Sequence, residues 1–278
     1  MQKNYYENIS HRPKKQLGQN FLINPGIVSK ITLAGPIDQQ TGVIEIGAGR
    51  GVLTEQLAKA AKKVLAIEID KALVSDLSET FAVSDRVVVV EGDILKLNLS
   101  DIIKQYLEGM KVAVYGNLPY YITSSIVMKL LEERFPFEYI VVMMQKETAL
   151  RFTAAEGSRL SGAVTLAVRY YSQPHYLFDV SSGSFYPKPN VDSAVVRFDL
   201  HSIPPVTVNN ESLMFDIIKA AFMQRRKTAV NAISDKLPIA KSLLIDIFRQ
   251  IDIDQLVRAE QLTLKDYAII SDRIEMHM

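Results

Sequence analysis

The segment Asn117-Leu118-Pro119-Tyr120 has the residue types needed to handle an amine, and it follows an apolar, strand-like run. The exocyclic amine of a nucleobase is a poor nucleophile because its lone pair is delocalised into the ring, so an enzyme that alkylates it must localise that pair. The side-chain oxygen of Asn117 and the carbonyl of Leu118, held by the fixed φ of Pro119, can accept the two N–H groups. Tyr120 can stack on an extruded base. Taken alone, such a segment is more often a strand-to-loop turn with a buried tyrosine, so the rest of the chain must decide.

Composition and length exclude several classes of protein. With 278 residues and 48% hydrophobic content, the chain can form one sizeable α/β domain and a smaller second domain. No apolar run approaches the roughly 18 residues of a membrane helix, and the N-terminus lacks a hydrophobic signal core, so we expect a cytoplasmic protein without a membrane partner. The chain contains no cysteine, and its four histidines lack ligand spacing. We therefore expect no disulfide, no cysteine nucleophile and no metal.

A nucleotide-binding pattern of strand, glycine turn and helix begins at residue 42. The turn contains Gly47, Gly49 and Gly51, and apolar residues at helical spacing follow it. These glycines let the backbone pass close to a ligand, but their spacing departs from the G-x-G-x-x-G that suits a dinucleotide pyrophosphate. The pattern favours a nucleoside ligand without a pyrophosphate.

The next two predicted strands end in carboxylates. The strand at residues 64–69 ends beside Glu68, which can accept both hydroxyl protons of a ribose, whereas Asp70 is better explained as the cap of the following helix. The strand at 87–90 leads to Asp93, which can receive an adenine amino group, although an isolated Gly-Asp pair more often forms a turn.

A fourth strand, at residues 111–115, brings the Asn117-Leu118-Pro119-Tyr120 segment to the same edge. The glycine turn, the ribose carboxylate, the adenine carboxylate and the two amine acceptors thus follow four strands in the order that a Rossmann-like methyltransferase presents them. We predict an α/β fold with a Rossmann-like S-adenosylmethionine-dependent methyltransferase sheet, and S-adenosylmethionine as the cofactor.

Further strands and helices continue this domain. The apolar run at 139–145 suits a fully covered central strand, helical patterns follow at 146–154 and 161–171, and strands are predicted at 174–180 and 193–200. A proline-rich loop between the last two strands presents Phe185, which can cover the second face of a flipped base. An aromatic residue in such a loop is more often a packing residue.

Pro204 and Pro205 mark the only clear linker. After it, residues 211–233, 241–250 and 263–274 have helical patterns without a convincing strand. We predict three parts: a flexible basic arm at 1–16, a Rossmann-like methyltransferase domain at 17–203, and a small all-helical C-terminal RNA-binding domain at 204–278.

The net charge of +1 means that nucleic acid must be bound by local patches. One patch is the arm, where Lys14 and Lys15 can lie on phosphates; a solvated tail is the alternative. The other is the run Arg225, Arg226 and Lys227, predicted to continue a helix and to direct at least one or two cations outward. A solvated helix end that interacts with the helix dipole is the alternative there.

Eight segments occur in a fixed order over nearly the whole chain: KKQLGQNFL, IEIGAGRG, IEID, GDI, YGNLPYYI, FYPKPNVDSAVV, AFMQRRKTAVN and RAEQL. Together they resemble the ribosomal RNA adenine N6,N6-dimethyltransferase family. Related macrolide-resistance methylases, which act on large-subunit RNA, share some of these segments, but AFMQRRKT and RAEQL favour the bacterial small-subunit branch. The resemblance implies dimethylation of two adjacent adenosines near the 3′ end of small-subunit (16S) rRNA, within an assembling 30S particle.

The resemblance also implies the site residues. Family members bind S-adenosylmethionine through residues that match Asn20, Leu22, Gly47, Glu68, Asp93 and Asn117, and the predicted cofactor set is completed by Gly49, Ile69 and Ile94. The predicted catalytic residues are Asn117, Leu118, Pro119, Tyr120 and Phe185. The predicted RNA-binding residues are Lys14, Lys15, Arg225, Arg226 and Lys227. Gly92 is a minor departure from the family pattern, and we expect a monomer.

Two other classes of function fit parts of the pattern. A non-catalytic RNA-binding or assembly factor on the same fold is expected to lose the amine acceptors or the cofactor carboxylates, but this chain retains Asn117, Glu68 and Asp93. A DNA adenine methylase shares the chemistry but not the order and extent of the flanking segments.

Overall fold

The computed structural model describes residues 13–277. The chain divides into two compact units. The first comprises the described residues up to Ala149 together with Pro174–Leu200, and the second comprises Leu150–Gln173 together with the chain from His201 onward. Residues 1–12, which hold most of the predicted basic arm, lie outside the described residues.

A seven-stranded sheet in the order β4-β3-β2-β5-β6-β9-β7 forms the framework. Adjacent strands from β4 to β6 are parallel, and β9 is antiparallel to β6. A separate two-stranded ladder joins β1 to β8. The strands are β1 (Phe21–Leu22), β2 (Thr41–Ile46), β3 (Lys63–Glu68), β4 (Val87–Glu91), β5 (Lys111–Asn117), β6 (Phe137–Gln145), β7 (Ser172–Val180), β8 (Phe185–Tyr186) and β9 (Ser193–Leu200). The predicted α/β class with a Rossmann-like sheet is confirmed.

Helices connect the parallel strands, and further helices follow the last strand. The helices of the described chain are α1 (Pro25–Thr32), α2 (Val52–Ala60), α3 (Lys71–Thr80), α4 (Leu99–Tyr106), α5 (Thr123–Glu132), α6 (Lys146–Phe152), α7 (Ala163–Tyr171), α8 (Glu211–Met223), α9 (Ala229–Ser234), α10 (Lys241–Gln250) and α11 (Leu264–Glu275). The side chain of Asn24 accepts the N–H groups of Gly26 and Ile27 at the start of α1, and Asp70 accepts that of Ala72 at the start of α3. The predicted cap at Asp70 is confirmed, and Asn24 acts in the same way, because a short polar side chain satisfies N–H groups that lack partners inside the helix. No helix among residues 13–277 is long and apolar enough to cross a membrane.

The second unit has a helical core of its own. Leu166 and Tyr170 of α7 pack in one cluster with residues of α8, α9, α10 and α11, including Met214 and Tyr267. The hydroxyls of Tyr170 and Tyr171 both donate to the carboxylate of Glu211, at 2.9 and 2.8 Å. Residues 150–173 therefore belong to the second unit, whereas the predicted boundary at 203 assigned them to the first domain. The helical periodicity of α7 shows an apolar face but not the core that this face contacts.

The predicted helical segment at 211–233 is interrupted. α8 ends at Met223, and α9 begins after Thr228, whose side chain accepts the N–H of Asn231. Gln224 leaves the helical conformation, with φ −129° and ψ 63°. Arg225, Arg226 and Lys227 consequently lie in a turn between two helices and do not spread around a helix as predicted.

Glu45 is an acid in the middle of the buried strand β2. Every residue of β2 is buried, and the Glu45 side chain is only 2% exposed. Its Oε2 has no hydrogen-bond partner in the described chain. Burial raises the pKa of Glu45 to about 8, and the negative charge of Glu68 contributes in the same direction. Glu45 is therefore largely a neutral carboxylic acid at pH 7.

This buried acid makes the stability of the protein depend on pH. The unfolded chain loses the Glu45 proton at a lower pH than the folded chain, so the free energy of unfolding should fall as pH rises from about 5 to about 8. We expect Glu45→Gln to remove this fall, which should amount to roughly 2–5 kcal/mol. Urea unfolding at pH 5, 6.5 and 8 measures it, with Glu138→Gln, an exposed strand glutamate, as the control. Parallel pH curves for the parent and Glu45→Gln would show that Glu45 is charged in the folded state.

Candidate active site

The carboxyl ends of β2, β3, β4 and β5 meet at a cavity of about 270 Å³. Parallel strands present their carboxyl ends at the same edge of a sheet, which is where such folds bind ligands. The predicted site residues that line the cavity are Asn20, Gly47, Gly49, Glu68, Ile69, Asp93, Ile94, Asn117, Leu118, Pro119 and Tyr120. Leu22 and Phe185 do not line it.

The glycine turn after β2 is held by Glu68. Gly47 and Gly49 have φ of +72° and +58°, a conformation that strongly favours glycine, and it brings the backbone to the cavity wall. The N–H of Gly49 donates to Glu68 Oε2 at 2.9 Å. The end of β3 therefore fixes the turn that follows β2.

Glu68 is 6% exposed and uses most of its acceptor capacity within the protein. Its Oε1 accepts the N–H groups of Ile69 and Asp70, both at 2.9 Å, and its Oε2 accepts that of Gly49. A carboxylate has about four lone-pair sites, so about one remains, on Oε2. The prediction of bonds to both hydroxyls of a ribose therefore reduces to one strong bond in this geometry.

Asp93 forms a turn and also lines the cavity, so it has features of both roles that its sequence left open, a turn and a contact with an adenine amino group. Its Oδ1 accepts the N–H of Leu95 at 3.0 Å, which makes a turn, while the residue also lines the cavity. Lys96 Nζ lies 3.8 Å from Oδ2. The turn fixes the carboxylate next to Ile94 without removing it from the cavity.

Asn117 is held through the nitrogen of its side-chain amide. Nδ2 donates to the carbonyl of Asn20 at 2.9 Å, and Oδ1 has no donor among residues 13–277. The amide orientation thus makes Oδ1 the available acceptor, since Nδ2 already has a partner.

The backbone after Asn117 is fixed by two further bonds. The N–H of Leu118 donates to the Met143 carbonyl at 3.1 Å, and Thr123 Oγ1 donates to the Pro119 carbonyl at 2.9 Å. The Leu118 carbonyl has no donor in the part of the chain that the structure describes. Two oxygens, Asn117 Oδ1 and the Leu118 carbonyl, are consequently available as acceptors at the cavity.

Tyr120 lines the cavity and is anchored at its hydroxyl. The hydroxyl lies 2.7 Å from Ser193 Oγ, and burial raises the pKa of Tyr120. Ser193 is fully buried at the start of β9. No role was predicted for Ser193, because the contact joins residues 73 positions apart.

Phe185 is a packing residue in this structure. It is 3% exposed and lies opposite Leu22 in the β1–β8 ladder, and both side chains belong to the hydrophobic core that contains Val28 and Ile31. Directly opposed residues of a ladder share a face, so Leu22 and Phe185 are buried together. The expectation that Phe185 covers a flipped base is replaced by the packing role that the sequence left as the alternative.

Residues 17–21 of the N-terminal segment line the cavity, and this segment is bonded to Asp70. Lys14 Nζ contacts Asp70 Oδ1 at 2.7 Å, and Gln19 Nε2 donates to Asp70 Oδ2 at 3.0 Å. Asp70 is 2% exposed. Lys14 therefore neutralises a buried carboxylate. This differs from our expectation that Lys14 is a free cation of a flexible arm. Lys15 is exposed, and its ammonium group has no partner in the described chain.

The three cations between α8 and α9 differ in their surroundings. Arg225 Nη2 donates to the carbonyls of Arg159 and Ser161, at 3.0 and 3.3 Å. Lys227 Nζ lies 2.5 Å from Asp235 Oδ2. Arg226 is exposed, and no residue of the described chain pairs with it. Of the predicted RNA contacts in this turn, Arg226 is the cation without an internal partner among the described residues, whereas Arg225 and Lys227 each have one.

The chain is similar to known proteins over nearly its whole length. The family model described as ribosomal RNA adenine dimethylase matches residues 10–275. Proteins named ribosomal RNA small subunit methyltransferase A from Bacillus mycoides (strain KBAB4) and Bacillus anthracis (strain A0248) are each 42% identical over 268 residues, which cover 95% of this chain and 92% of the relative.

Two solved structures have the same fold. A dimethyladenosine transferase from Plasmodium falciparum is 27% identical with a TM-score of 0.74, and the similarity covers 90% of this chain and 95% of that one. The 23S rRNA methyltransferase ErmE is 22% identical with a TM-score of 0.68, and the similarity covers 92% and 100%. The chain belongs to the ribosomal RNA adenine dimethylase family.

Proposed function

We propose that this protein transfers methyl groups from S-adenosylmethionine to N6 of two adjacent adenosines near the 3′ end of 16S rRNA, within an assembling 30S particle, and acts as a monomer. The observation that carries the proposal is the pair of available acceptors, Asn117 Oδ1 and the Leu118 carbonyl, at a cavity that also contains Tyr120. The small-subunit substrate is supported by the full-length similarity to proteins named for that activity.

The residues present fit the nucleoside part of S-adenosylmethionine. Glu68 retains about one acceptor site for a ribose hydroxyl, and Asp93 presents a carboxylate to an adenine amino group. Ile69 and Ile94 line the cavity beside them and supply apolar surface for the base. The nearby Glu45 is largely neutral, so it adds little negative charge behind Glu68.

When bound, S-adenosylmethionine supplies a methyl group on a cationic sulfur, whose carbon–sulfur bond breaks with its electron pair going to sulfur as the amine lone pair forms the new N6–carbon bond. Positive charge then develops on N6. Asn117 Oδ1 and the Leu118 carbonyl accept its N–H groups and stabilise that charge more in the transition state than in the ground state. The proton that N6 loses passes to water, so no general base is required.

The substrate is tested by incubating the protein and labelled S-adenosylmethionine with four substrates: unmethylated small subunits, large subunits, naked rRNA and DNA. We expect N6,N6-dimethyladenosine in the small subunits. Label on large subunits or DNA would contradict the assigned substrate, and an absence of transfer to all four would support a non-catalytic RNA-binding factor.

Asn117→Ala should lower kcat by roughly 10²–10³ with little change in RNA affinity, by analogy with the removal of one preorganised polar partner of a developing charge. The assay is a single turnover at saturating cofactor, because Asn117 is also in the predicted cofactor set. Asn98→Ala, which removes the exposed cap of α4, is the control for a general loss of stability. A parent-like rate in Asn117→Ala would show that Asn117 does not act in catalysis and that the Asn117–Tyr120 segment is only a structural turn.

Glu68→Ala should weaken S-adenosylmethionine binding by roughly 1.5–3 kcal/mol, the contribution of one hydrogen bond to a charged group. Calorimetry measures it. The control is Glu91→Ala, because Glu91 is the parallel-strand neighbour of Glu68 and is exposed outside the cavity. Affinity within a factor of about three of the parent, or less than 0.7 kcal/mol, would remove Glu68 from the ribose site.

Arg226→Gln and Lys15→Gln should each weaken RNA binding and reduce the slope of log K against log salt by up to about 0.9 for a duplex phosphate contact. Lys227→Gln is the matched comparison and should change the slope less, because Lys227 is paired with Asp235. Equal slopes for the parent and Arg226→Gln would place the RNA surface elsewhere.

A further inference from the structure

The hydroxyl of Tyr120 meets a buried serine that does not itself reach the cavity. Ser193 Oγ lies 2.7 Å from the Tyr120 hydroxyl, while Tyr120 lines the cavity and Ser193 does not. Ser193 is the first residue of β9 and pairs with Gln145 at the end of β6. The contact therefore joins the ring of Tyr120 to the sheet.

The ring is held at both of its ends. On the backbone side, Leu118 is bonded to Met143 and the Pro119 carbonyl accepts from Thr123. At the far end, the bond to Ser193 is the only hydrogen bond of the Tyr120 hydroxyl in the described chain. The hydroxyl oxygen lies on the axis of the χ2 rotation, so its hydrogen bond fixes the direction of the ring axis, which χ1 sets, and thereby the position of the ring at the cavity.

We propose that Ser193 is a positioning residue that acts through Tyr120, and that it contributes more to the second methyl transfer than to the first. This inference rests on the proposed function. Each transfer forms one N6–carbon bond, breaks one sulfur–carbon bond and releases one proton from N6 to water.

The difference between the two transfers follows from the number of N–H groups. In the first, N6 carries two N–H groups, which match the two acceptors Asn117 Oδ1 and the Leu118 carbonyl. In the second, the monomethylated amine has one N–H, so one acceptor is left without a donor. The orientation of the base then depends more on stacking against Tyr120.

Phe185, which we expected to cover the second face of the base, is buried in the core and does not line the cavity. The other aromatic residues that line the cavity besides Tyr120 are Phe21 and Tyr121. We expect the alignment of a monomethylated base to depend on the position of the Tyr120 ring, which the hydrogen bond to Ser193 fixes.

The experiment is a single-turnover assay on small subunits at saturating cofactor and RNA, with monomethyladenosine and dimethyladenosine resolved over time. The variants are Ser193→Ala, Tyr120→Phe and the double variant. We expect the second rate constant to fall at least about tenfold and the first less than about threefold, so that monomethyladenosine accumulates. Cofactor affinity should not change, and the double variant should be no slower than either single variant because both remove the same hydrogen bond.

The matched control is Ser172→Ala, which removes an equally buried serine hydroxyl that donates to the Val168 carbonyl. It should lower stability to a similar extent without changing the product ratio. Ser193→Cys replaces the hydroxyl by a somewhat larger thiol, which is a weak donor, and reports on the hydrogen bond if Ser193→Ala folds poorly.

The outcomes separate the inference from the proposed function. A parent-like ratio of the two rate constants in Ser193→Ala or Ser193→Cys and in Tyr120→Phe would overturn the role of Ser193. Equal slowing of both transfers would also overturn it, because a merely structural contact affects both alike. A parent protein that forms no dimethyladenosine would contradict the proposed function itself.

Discussion

The hydrogen bond from Asn117 Nδ2 to the carbonyl of Asn20 determines what the cavity can do. A side-chain amide carries its donor and its acceptor on different atoms, so a partner on the nitrogen leaves the oxygen for a ligand. The same bond connects the end of β5 to the N-terminal segment that lines the cavity. The proposed catalytic group and the wall of the site thus depend on one contact between residues 97 positions apart.

Around this contact, buried carboxylates organise the loops at the edge of the sheet. Glu68 accepts three backbone N–H groups and joins the glycine turn to the end of β3, while Asp70 caps α3 and pairs with Lys14. Unpaired buried polar groups are costly, so these bonds favour one arrangement of the loops. Glu45 is the exception, and burial keeps it largely neutral instead.

The framework of the site was predictable because parallel strands have a strong sequence signature. Buried strands are continuous apolar runs, and ligand-binding residues follow their carboxyl ends, which located Gly47, Glu68, Asp93 and Asn117 at one edge. The unusual state of Glu45 could also have been predicted from the sequence, although we did not predict it. An acid inside an otherwise apolar buried strand must be paired or neutral.

Other features depend on tertiary partners that local patterns do not specify. The pairing of β1 with β8 buries Phe185, and the ion pair with Asp70 occupies Lys14. The turn after α8 engages Arg225 and Lys227 within the protein. In each case the residue type was read correctly as aromatic or cationic, but the choice between an internal partner and a ligand is made by segments far away in the sequence.

We propose that Asn117 Oδ1 and the Leu118 carbonyl accept the N–H groups of the target amine. A structure of the protein with its RNA substrate and a cofactor analogue that cannot transfer a methyl group would measure the distances involved. We expect N6 of the target adenosine within about 2.7–3.2 Å of both oxygens, with Asn117 Nδ2 still bonded to Asn20. An N6 atom more than about 4 Å from Asn117 Oδ1, or an amide turned so that Nδ2 faces the base, would contradict it.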